Sequence, residues 1–439
     1  MQPGLDAPDS SLLTNQTVAV TIGSIFTSFD NSTSGLQEIW PQFRGPDRTN
    51  IFTGSKSLSA DWKTNPPKVL WKTETGEGHA APVIYKGLAY FLDYNETTKT
   101  ELLRCFLLET GVEQWQRGHK IHIKRNHGMS RTIPSVTENY IVTLGPVGLV
   151  MCCNRTDGSL VWSLNLQEKY QSEIPFWYTG QCPLVVNDTA IIAAAGSMLM
   201  LGIDCKTGTI AWETPNDKGI KMSHSSVMLY TILGKSMYVY AGVGGMAGVS
   251  AQGPDKGKML WFFNTWAPTV VAPSPLQVSD NLLYITAGYG AGGAVVEIQK
   301  SGNTYTAIAK DVFLPDQGAS SEQQTYILKN NIIYGVLPKD AGANRNQFAG
   351  YRVPDFRNPV LLSGKTHRFG LGPFLFFNDK VLLLTDEGIL IQASIKNQQF
   401  TIEQSVELFK GVDAWGPMAY ADGYLLVRDS KNIYCVSLP

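Results

Sequence analysis

The sequence predicts an all-β protein, an eight-bladed β-propeller of four-stranded blades with almost no helix. Three observations predict this fold. A polar hairpin turn followed by alternating apolar residues recurs eight times, at spacings of 44 to 52 residues. In four consecutive repeats a glycine stands four residues before a tryptophan. The last repeat lacks one strand, which a segment ahead of the first repeat can supply. A repeat of roughly 40–50 residues with four short strands is typical of a propeller blade.

The composition is compatible with many short strands and excludes some classes of partner. The 439 residues include 42 glycines, 10 tryptophans and 18 tyrosines. A net charge of -1 provides no field that would attract nucleic acid or an anionic membrane. No stretch reaches the roughly 18–20 consecutive apolar residues of a transmembrane helix. The N-terminus "MQPGLDAPDS" has neither the basic start nor the apolar core of a signal peptide.

The hairpins define the repeats. Each consists of a short polar turn and a following strand, as in "KGLAYFL" and "DGYLLV". The second turn residues are Gly87, Asn139, Asp188, Lys235, Asn281, Asn331, Asp379 and Gly423.

A second motif has the same period and predicts how blades dock. Its glycine permits the positive φ of a tight turn, and its tryptophan can pack between neighbouring blades. The glycine and tryptophan pairs are Gly111 and Trp115, Gly158 and Trp162, Gly208 and Trp212, and Gly257 and Trp261.

The two chain ends predict how the ring closes. After the eighth hairpin, "NIYCVSLP" supplies a third strand but no fourth. We expect residues 68–75, "KVLWKTET", to pair with this C-terminal blade and to leave no open edge. Residues 68–439 then form a single propeller, 37–67 a segment that packs on it, and 1–36 a polar, flexible N-terminal arm.

Adjacent cysteines in "MCCNRTDGSLVW" raise the possibility of a redox-active disulfide. Aligned on the turn glycines, the positions six residues earlier all hold small residues: Cys105, Cys152, Gly202 and Ala251. We therefore expect Cys152 and Cys153 to be reduced, inside a strand, with side chains on opposite faces.

The remaining local motifs predict no metal site and no nucleotide site. The chain lacks CxxC and CxxCH spacings, which disfavours zinc and covalent haem. "GYGAGG" (288–293) matches a dinucleotide fingerprint, but a strand follows it where that fingerprint needs a helix. No Ser, His and acid arrangement predicts a catalytic residue.

Candidate binding residues come from propeller geometry, because residues just before each innermost strand face one mouth of the central channel. Rings, imidazoles and a guanidinium in these positions could bind a planar or anionic ligand, or could simply pack the mouth. The candidates are Glu77, His79, His127, Arg131, Trp177, Gln181, His224, Trp266, Gln323 and Trp415.

Three segments carry a family resemblance that covers about residues 40–439. They are "WPQFRGPDR" (40–48), "FWYTGQCPLV" (176–185) and "SDNLLYITAGYGAGGAVVEI" (279–298). Together with the repeats, they resemble the PQQ-binding-like, or quinoprotein alcohol dehydrogenase-like, eight-bladed propellers, and in particular a bacterial WPxxRGP-type subgroup. The BamB-type outer-membrane assembly lipoproteins are more distantly similar.

The resemblance implies two main functions. As a BamB-like protein, the chain would be a noncatalytic scaffold for protein partners, periplasmic or extracellular, without a cofactor. As a quinoprotein, it would be an alcohol or sugar dehydrogenase that uses PQQ with calcium. Near the mouth only Glu77, Glu322 and Asp413 are acidic, without fixed spacing, which disfavours a calcium site. A small-ligand or carbohydrate-binding propeller is the third alternative, and we favour the noncatalytic scaffold.

Overall fold

The computed structural model describes residues 20–439 as eight antiparallel blades arranged in a ring. This arrangement confirms the predicted eight-bladed propeller. The predicted flexible arm lies partly outside the described residues, because it includes residues 1–19. Within residues 20–439, no helix is long and apolar enough to cross a membrane.

The strands are numbered in chain order. Those before the first complete blade are β1 (Ile25–Ser28), β2 (Ile39–Trp40), β3 (Ile51–Phe52) and β4 (Lys68–Glu74). Blades 1 and 2 contain β5 (Val83–Tyr85), β6 (Leu88–Asn95), β7 (Thr100–Leu107), β8 (Glu113–Lys120), β9 (Ser135–Val136), β10 (Tyr140–Leu144), β11 (Leu149–Asn154) and β12 (Leu160–Asn165). Blades 3 and 4 contain β13 (Leu184–Val186), β14 (Thr189–Ile192), β15 (Met198–Asp204), β16 (Ile210–Pro215), β17 (Met228–Ile232), β18 (Lys235–Gly242), β19 (Gly245–Ser250) and β20 (Met259–Phe263).

The second half of the ring continues in the same way. Blades 5 and 6 contain β21 (Leu276–Gln277), β22 (Leu282–Ala287), β23 (Gly292–Ser301), β24 (Thr304–Phe313), β25 (Ile327–Lys329), β26 (Ile332–Val336), β27 (Phe348–Arg352) and β28 (Pro359–Leu362). Blades 7 and 8 contain β29 (Phe374–Phe377), β30 (Lys380–Leu384), β31 (Ile389–Lys396), β32 (Gln399–Glu407), β33 (Ala419–Ala421), β34 (Tyr424–Arg428) and β35 (Asn432–Ser437). The described helices are α1 (Leu166–Tyr170) and a 3₁₀ turn (Gly342–Asn344).

The hairpin turns lie where the sequence predicts them, with one shift. In blade 4, β17 ends at Ile232 and pairs with Lys235, so the turn is Leu233 and Gly234. Both turn residues have positive φ, of 49° and 78°. Lys235, predicted as the second turn residue, is therefore the first residue of β18.

The ring closes as predicted, through both chain ends. Strand β4 pairs antiparallel with β35 and completes blade 8, with Trp71 opposite Cys435. Apolar layers between neighbouring blades form the core, and blade 8 shares one layer with blades 1 and 7.

The adjacent cysteines lie in β11, and both are fully buried. Cys152 packs in the apolar layer that includes blade 3, whereas Cys153 packs in the layer shared with blade 1. All six cysteines of the chain are free and buried. The pair therefore fills two separate core layers, as expected for alternating side chains of a strand.

A register shift recurs between the third and fourth strands of every blade. In blade 2 it follows Cys152, which pairs with Trp162. In blade 4 the residue in this place is Gly248, which pairs with Trp261. The sequence alignment placed Ala251 here, and this was wrong because the following turn of blade 4 is three residues longer.

Each turn glycine of the docking motif lies against a tryptophan of the preceding blade. A Cβ added at Gly158 would be 2.7 Å from the Trp115 ring, and one at Gly111 would be 2.6 Å from Trp71. Gly208 and Gly257 have the same relation to Trp162 and Trp212. Trp71 packs in the same way but was not among the predicted docking residues, because the residue four positions before it is Pro67 and not a glycine. Trp261 is buried, but no described turn glycine of blade 5 lies against it.

Two N-terminal strands add to the outer and inner edges of blade 1. Strand β1, within the segment for which the sequence predicts a flexible arm, pairs antiparallel with the outer strand β8. Strand β2 pairs with the innermost strand β5.

The segment from β2 to β3, residues 39–52, crosses the channel, and we call it the plug. It leaves blade 1 along β5 and reaches blade 7, where β3 runs parallel to the innermost strand β29. Between these strands the Arg48 guanidinium donates to Val227 O at 2.7 Å in blade 4, and also to Pro183 O beside blade 3. The WPxxRGP element therefore lies inside the ring and is bonded to its inner strands.

Candidate functional site

A cavity of about 460 Å³ lies at the mouth of the channel where the innermost strands begin. We call it the upper cavity. Phe43, Arg44 and Asn50 of the plug are among its lining residues. The Arg44 guanidinium is 4% exposed and donates to Thr325 O at 2.7 Å and to Tyr326 O at 2.9 Å. Because these carbonyls belong to blade 6, Arg44 holds the plug in place beneath the cavity.

Most of the predicted binding residues come together in this cavity. They approach it from the loops that precede the innermost strands of different blades. The predicted residues that line it are His79, His127, Arg131, Trp177, His224, Gln323 and Trp415.

The other three predicted residues have local contacts instead. Glu77 accepts from the exposed Arg125 side chain at 2.8 Å. The buried Gln181 amide donates to Ala193 O and accepts from Ala193 N, at 2.9 and 2.7 Å. Trp266 donates through Nε1 to a backbone carbonyl at 3.1 Å. These side chains satisfy loop groups, which was the alternative interpretation of the mouth positions.

Sequence reasoning missed cavity residues from two other sources. Tyr289 and Lys339 line the cavity from turns between the second and third strands of blades 5 and 6. The second strand of a blade ends at the mouth where the innermost strand begins, so the turn after it lies beside the cavity. Aromatic and basic residues in these turns could therefore have been predicted as cavity residues. The plug residues had no comparable signal, since nothing in their sequence states which surface they cover.

Two stacked ring pairs stand on different sides of the cavity. His79 and Trp415, from blades 1 and 8, have ring centroids 5.2 Å apart with planes inclined by 24°. Trp177 and Tyr289, from blades 3 and 5, are 5.5 Å apart and inclined by 11°. Such rings offer flat apolar surfaces to a bound group.

Arg131 is a positively charged residue of the cavity lining, beside Arg44 and Lys339. Its Nη2 donates to His127 O at 2.7 Å and Asn126 O at 3.1 Å. Its Nε is buried and has no hydrogen-bond partner. No carboxylate of residues 20–439 forms a salt bridge with it. Burial lowers the Arg131 pKa to about 10, so the side chain remains charged at neutral pH.

Two imidazoles near Arg131 are neutral at physiological pH. Burial, reinforced by the Arg131 charge, lowers the pKa of His79 to about 3 and that of His224 to about 4. His79 Nδ1 and His224 Nε2 are buried without hydrogen-bond partners. The other ring nitrogen of each donates to a backbone carbonyl, that of His127 for His79 and that of Trp177 for His224, so the unpartnered nitrogens can accept a hydrogen bond without adding charge.

Glu322 is the acidic group of the cavity wall. It is 6% exposed, and burial raises its pKa. The nearby Lys339 lowers this pKa, and Asp340 raises it further. Lys339 Nζ lies 3.6 Å from Oε1, while Oε2 is buried without a partner. Arg131 belongs to blade 2 and Glu322 to blade 6, which are opposite one another in a ring of eight.

The residues present do not fit a calcium site for a quinone cofactor. Calcium takes six to eight oxygen ligands, several of them carboxylates. Within residues 20–439 no group of three or more His, Cys, Asp or Glu side chains could hold a metal ion. In the cavity itself, Glu322 is engaged by Lys339. We therefore assign no quinone chemistry to this cavity.

The fold and the cavity define a class of protein, an eight-bladed propeller with a plugged channel and a recess at one mouth. The sequence profile of the family described as outer membrane protein assembly factor BamB matches residues 99–341, which is more than half of the chain. The chain belongs to this family, as its resemblance to the PQQ-like repeat propellers indicated. A comparison with curated protein sequences found no match.

Solved structures similar to the chain include both enzymes and assembly proteins. Quinohaemoprotein alcohol dehydrogenase from Comamonas testosteroni is 11% identical with a TM-score of 0.61, covering 91% of this chain and 80% of its own. BamB from Moraxella catarrhalis is 11% identical with a TM-score of 0.54, covering 84% and 99%. A europium-containing methanol dehydrogenase is 11% identical with a TM-score of 0.59, covering 91% and 98%. Identities this low show a shared fold and leave function to be argued from the site.

Proposed function

We propose that this protein is a noncatalytic, extracytoplasmic binding scaffold that receives a protein partner at the rim of the upper cavity. The family description, an outer membrane protein assembly factor, supports both the scaffold role and the location. The same description supports protein partners, rather than nucleic acid, as what the scaffold binds.

The observation that carries this proposal is the chemistry of the recess. Tryptophan, tyrosine and arginine dominate the binding energy of protein interfaces, particularly where they lie in a partly enclosed pocket. The cavity brings Trp177, Tyr289 and Arg131 together over the plug. Tyr289 is 42% exposed, so its stacked pair with Trp177 is accessible from solvent.

Affinity capture from extracts of the native host tests the proposal. The bait is the full chain, compared with a double variant, Trp177→Ala with Tyr289→Ala. We expect the wild-type chain to retain a defined partner and the double variant to lose at least about tenfold in affinity, because truncating an interface anchor typically costs more than 1 kcal/mol.

A matched control lies at the opposite mouth. Leu229 is 38% exposed and lines a separate groove of about 500 Å³ below the plug. Leu229→Ala should leave partner binding unchanged. Equal capture by the double variant and the wild type would place the interface elsewhere and overturn the proposal.

A further inference from the structure

We infer that the upper cavity is a site for a single carboxylate group attached to a flat apolar body, with the carboxylate held by Arg131. This inference rests on the proposed function, since it names the chemistry that the same cavity recognises. The Arg131 guanidinium is half-buried, with its Nε buried and without a partner, and a bound carboxylate would supply the acidic partner that no described residue provides.

The cavity supports one anionic group because it offers one available cation. All three nitrogens of the Arg44 guanidinium already donate to backbone carbonyls. Lys339 Nζ lies 3.6 Å from Glu322 Oε1 on a side chain that is 65% exposed, so this carboxylate offsets its charge. Among the described arginine and lysine residues of the lining, this leaves Arg131, whose Nε is buried and unpartnered.

The groups beside Arg131 leave the oxyanion to Arg131 and disfavour a second one. The N–H of each neutral imidazole is used by a backbone carbonyl, that of His127 for His79 and that of Trp177 for His224. The unpartnered ring nitrogens of His79 and His224 are therefore acceptors, which would repel a second oxyanion. On the opposite wall Glu322 would repel a further negative charge when ionised. The ligand should therefore carry its negative charge at one end.

The body of the ligand follows from the rings. The stacked pairs, His79 with Trp415 and Trp177 with Tyr289, provide flat faces. A planar or aromatic group beside the carboxylate would gain both apolar burial and ring stacking. Two sources share this chemistry, the C-terminal carboxylate of a partner ending in an aromatic residue and a free aromatic acid.

Calorimetric titration of the full chain with matched acids and amides tests the inference. One arm uses an N-acetylated tripeptide ending in phenylalanine, with a free or an amidated C-terminus, and the other uses cinnamate and cinnamamide. We expect at least one acid to bind about tenfold or more tightly than its amide. Binding of the peptide acid would identify a partner's C-terminus as the source of the carboxylate, and binding of cinnamate would identify a free aromatic acid.

The charge-removing variant Arg131→Gln should abolish the preference for acid over amide. Arg125→Gln is the matched control, because Arg125 lies on the same loop with its side chain 65% exposed and paired with Glu77. If circular dichroism shows that Arg131→Gln is unfolded, Arg131→Lys replaces it. That variant keeps the charge but loses the planar fork, so the preference should fall at least severalfold.

Equal affinity of acid and amide in both arms would overturn the inference, as would absence of binding in both arms. A preference that survives in Arg131→Gln would also overturn it. None of these results affects the capture experiment with the Trp177 and Tyr289 variant. The carboxylate site can therefore fail while the scaffold function stands, and the reverse also holds.

Discussion

His79 and His224 show how single residues adapt to the upper cavity. Each has a ring nitrogen that is buried without a partner, and burial keeps each imidazole neutral. In the unfolded chain both would titrate near the ordinary histidine value of about 6.5. The folded protein therefore binds fewer protons than the unfolded chain in mildly acidic solution.

This difference predicts a loss of stability in acid. Between the unfolded pKa of about 6.5 and the folded His224 pKa of about 4, the unfolded state binds more protons, so the free energy of unfolding falls as the pH falls. One such histidine contributes at most about 1.4 kcal/mol per pH unit. Denaturant unfolding near pH 7 and near pH 5 should give a smaller loss for His224→Gln than for the wild type.

The control for this measurement is His122→Gln, which changes an exposed imidazole outside the cavity lining. Its pH dependence should match that of the wild type. The same slope in His224→Gln and the wild type would contradict a neutral His224 in the folded protein.

The adjacent cysteines are a second case at the residue scale. Burial raises the pKa of Cys153 to about 12, and that of Cys152 is also raised, mainly by its hydrogen bond with Cys205 and then by burial. A thiol of raised pKa carries little thiolate and is a poor nucleophile. Their environment is that of core residues and not of a redox centre.

At the scale of elements, neighbouring blades meet where a turn glycine of one blade lies against a tryptophan of the blade before it. Gly158 has φ of 67° and lies against Trp115. The glycine meets two separate demands, a left-handed backbone and space for an indole ring.

A pair of substitutions separates these demands. Gly234 has φ of 78°, and nothing lies within 4 Å of an added Cβ. Gly234→Ala should therefore cost only the backbone strain, about 1–2 kcal/mol. Gly158→Ala should cost about 1–3 kcal/mol more, because its Cβ would be 2.7 Å from the Trp115 ring.

Denaturant unfolding of the two variants measures the difference in free energy. Circular dichroism at low denaturant checks that both remain folded. Equal destabilisation would contradict the docking role of the glycine and tryptophan pair.

At the scale of the molecule, the plug makes the channel into a recess. Residues 39–52 contact innermost strands on opposite sides of the ring, through β2 in blade 1 and through Arg44 and Arg48 in blades 6 and 4. Both arginines are buried and bond to backbone carbonyls. The plug therefore contributes both to the stability of the ring and to the shape of the upper cavity.

Arg44→Lys tests this dual role, because lysine cannot reproduce the planar fork of hydrogen bonds. The guanidinium donates to four carbonyls, those of Arg48, Thr49, Thr325 and Tyr326, and a lysine ammonium has three protons, so at least one bond is lost. Charged hydrogen bonds contribute about 1.5–3 kcal/mol each, so we expect a loss of about 1.5–3 kcal/mol or more in the free energy of unfolding.

Thermal and denaturant unfolding provide the measurement, with Arg345→Lys, at an exposed arginine, as the control. The control should change stability by less than about 0.5 kcal/mol. A similarly small change in Arg44→Lys would mean that the plug is not anchored through this side chain.

The sequence by itself determined the number of blades, their strand order and the closure of the ring. These features follow from local signals, because hairpin turns and alternating apolar residues repeat along the chain. The repeat pattern also predicted that Arg131 and Trp177 lie at one mouth of the channel, since both stand just before an innermost strand. The pattern did not predict where each side chain points, and the Gln181 side chain bonds to the backbone of Ala193 instead of lining the cavity.

Only the tertiary structure decided that the channel is plugged and that the recess faces one mouth. The side-chain bonds from Arg44, Arg48 and Asn50 to the ring join residues 135 to 324 positions apart, such as Arg48 with Pro183 and Asn50 with Phe374. Their acceptors are backbone carbonyls, which every residue type carries. A pattern of side chains along the chain therefore could not reveal where the WPxxRGP element binds, whereas the closed ring presents those carbonyls together at its centre.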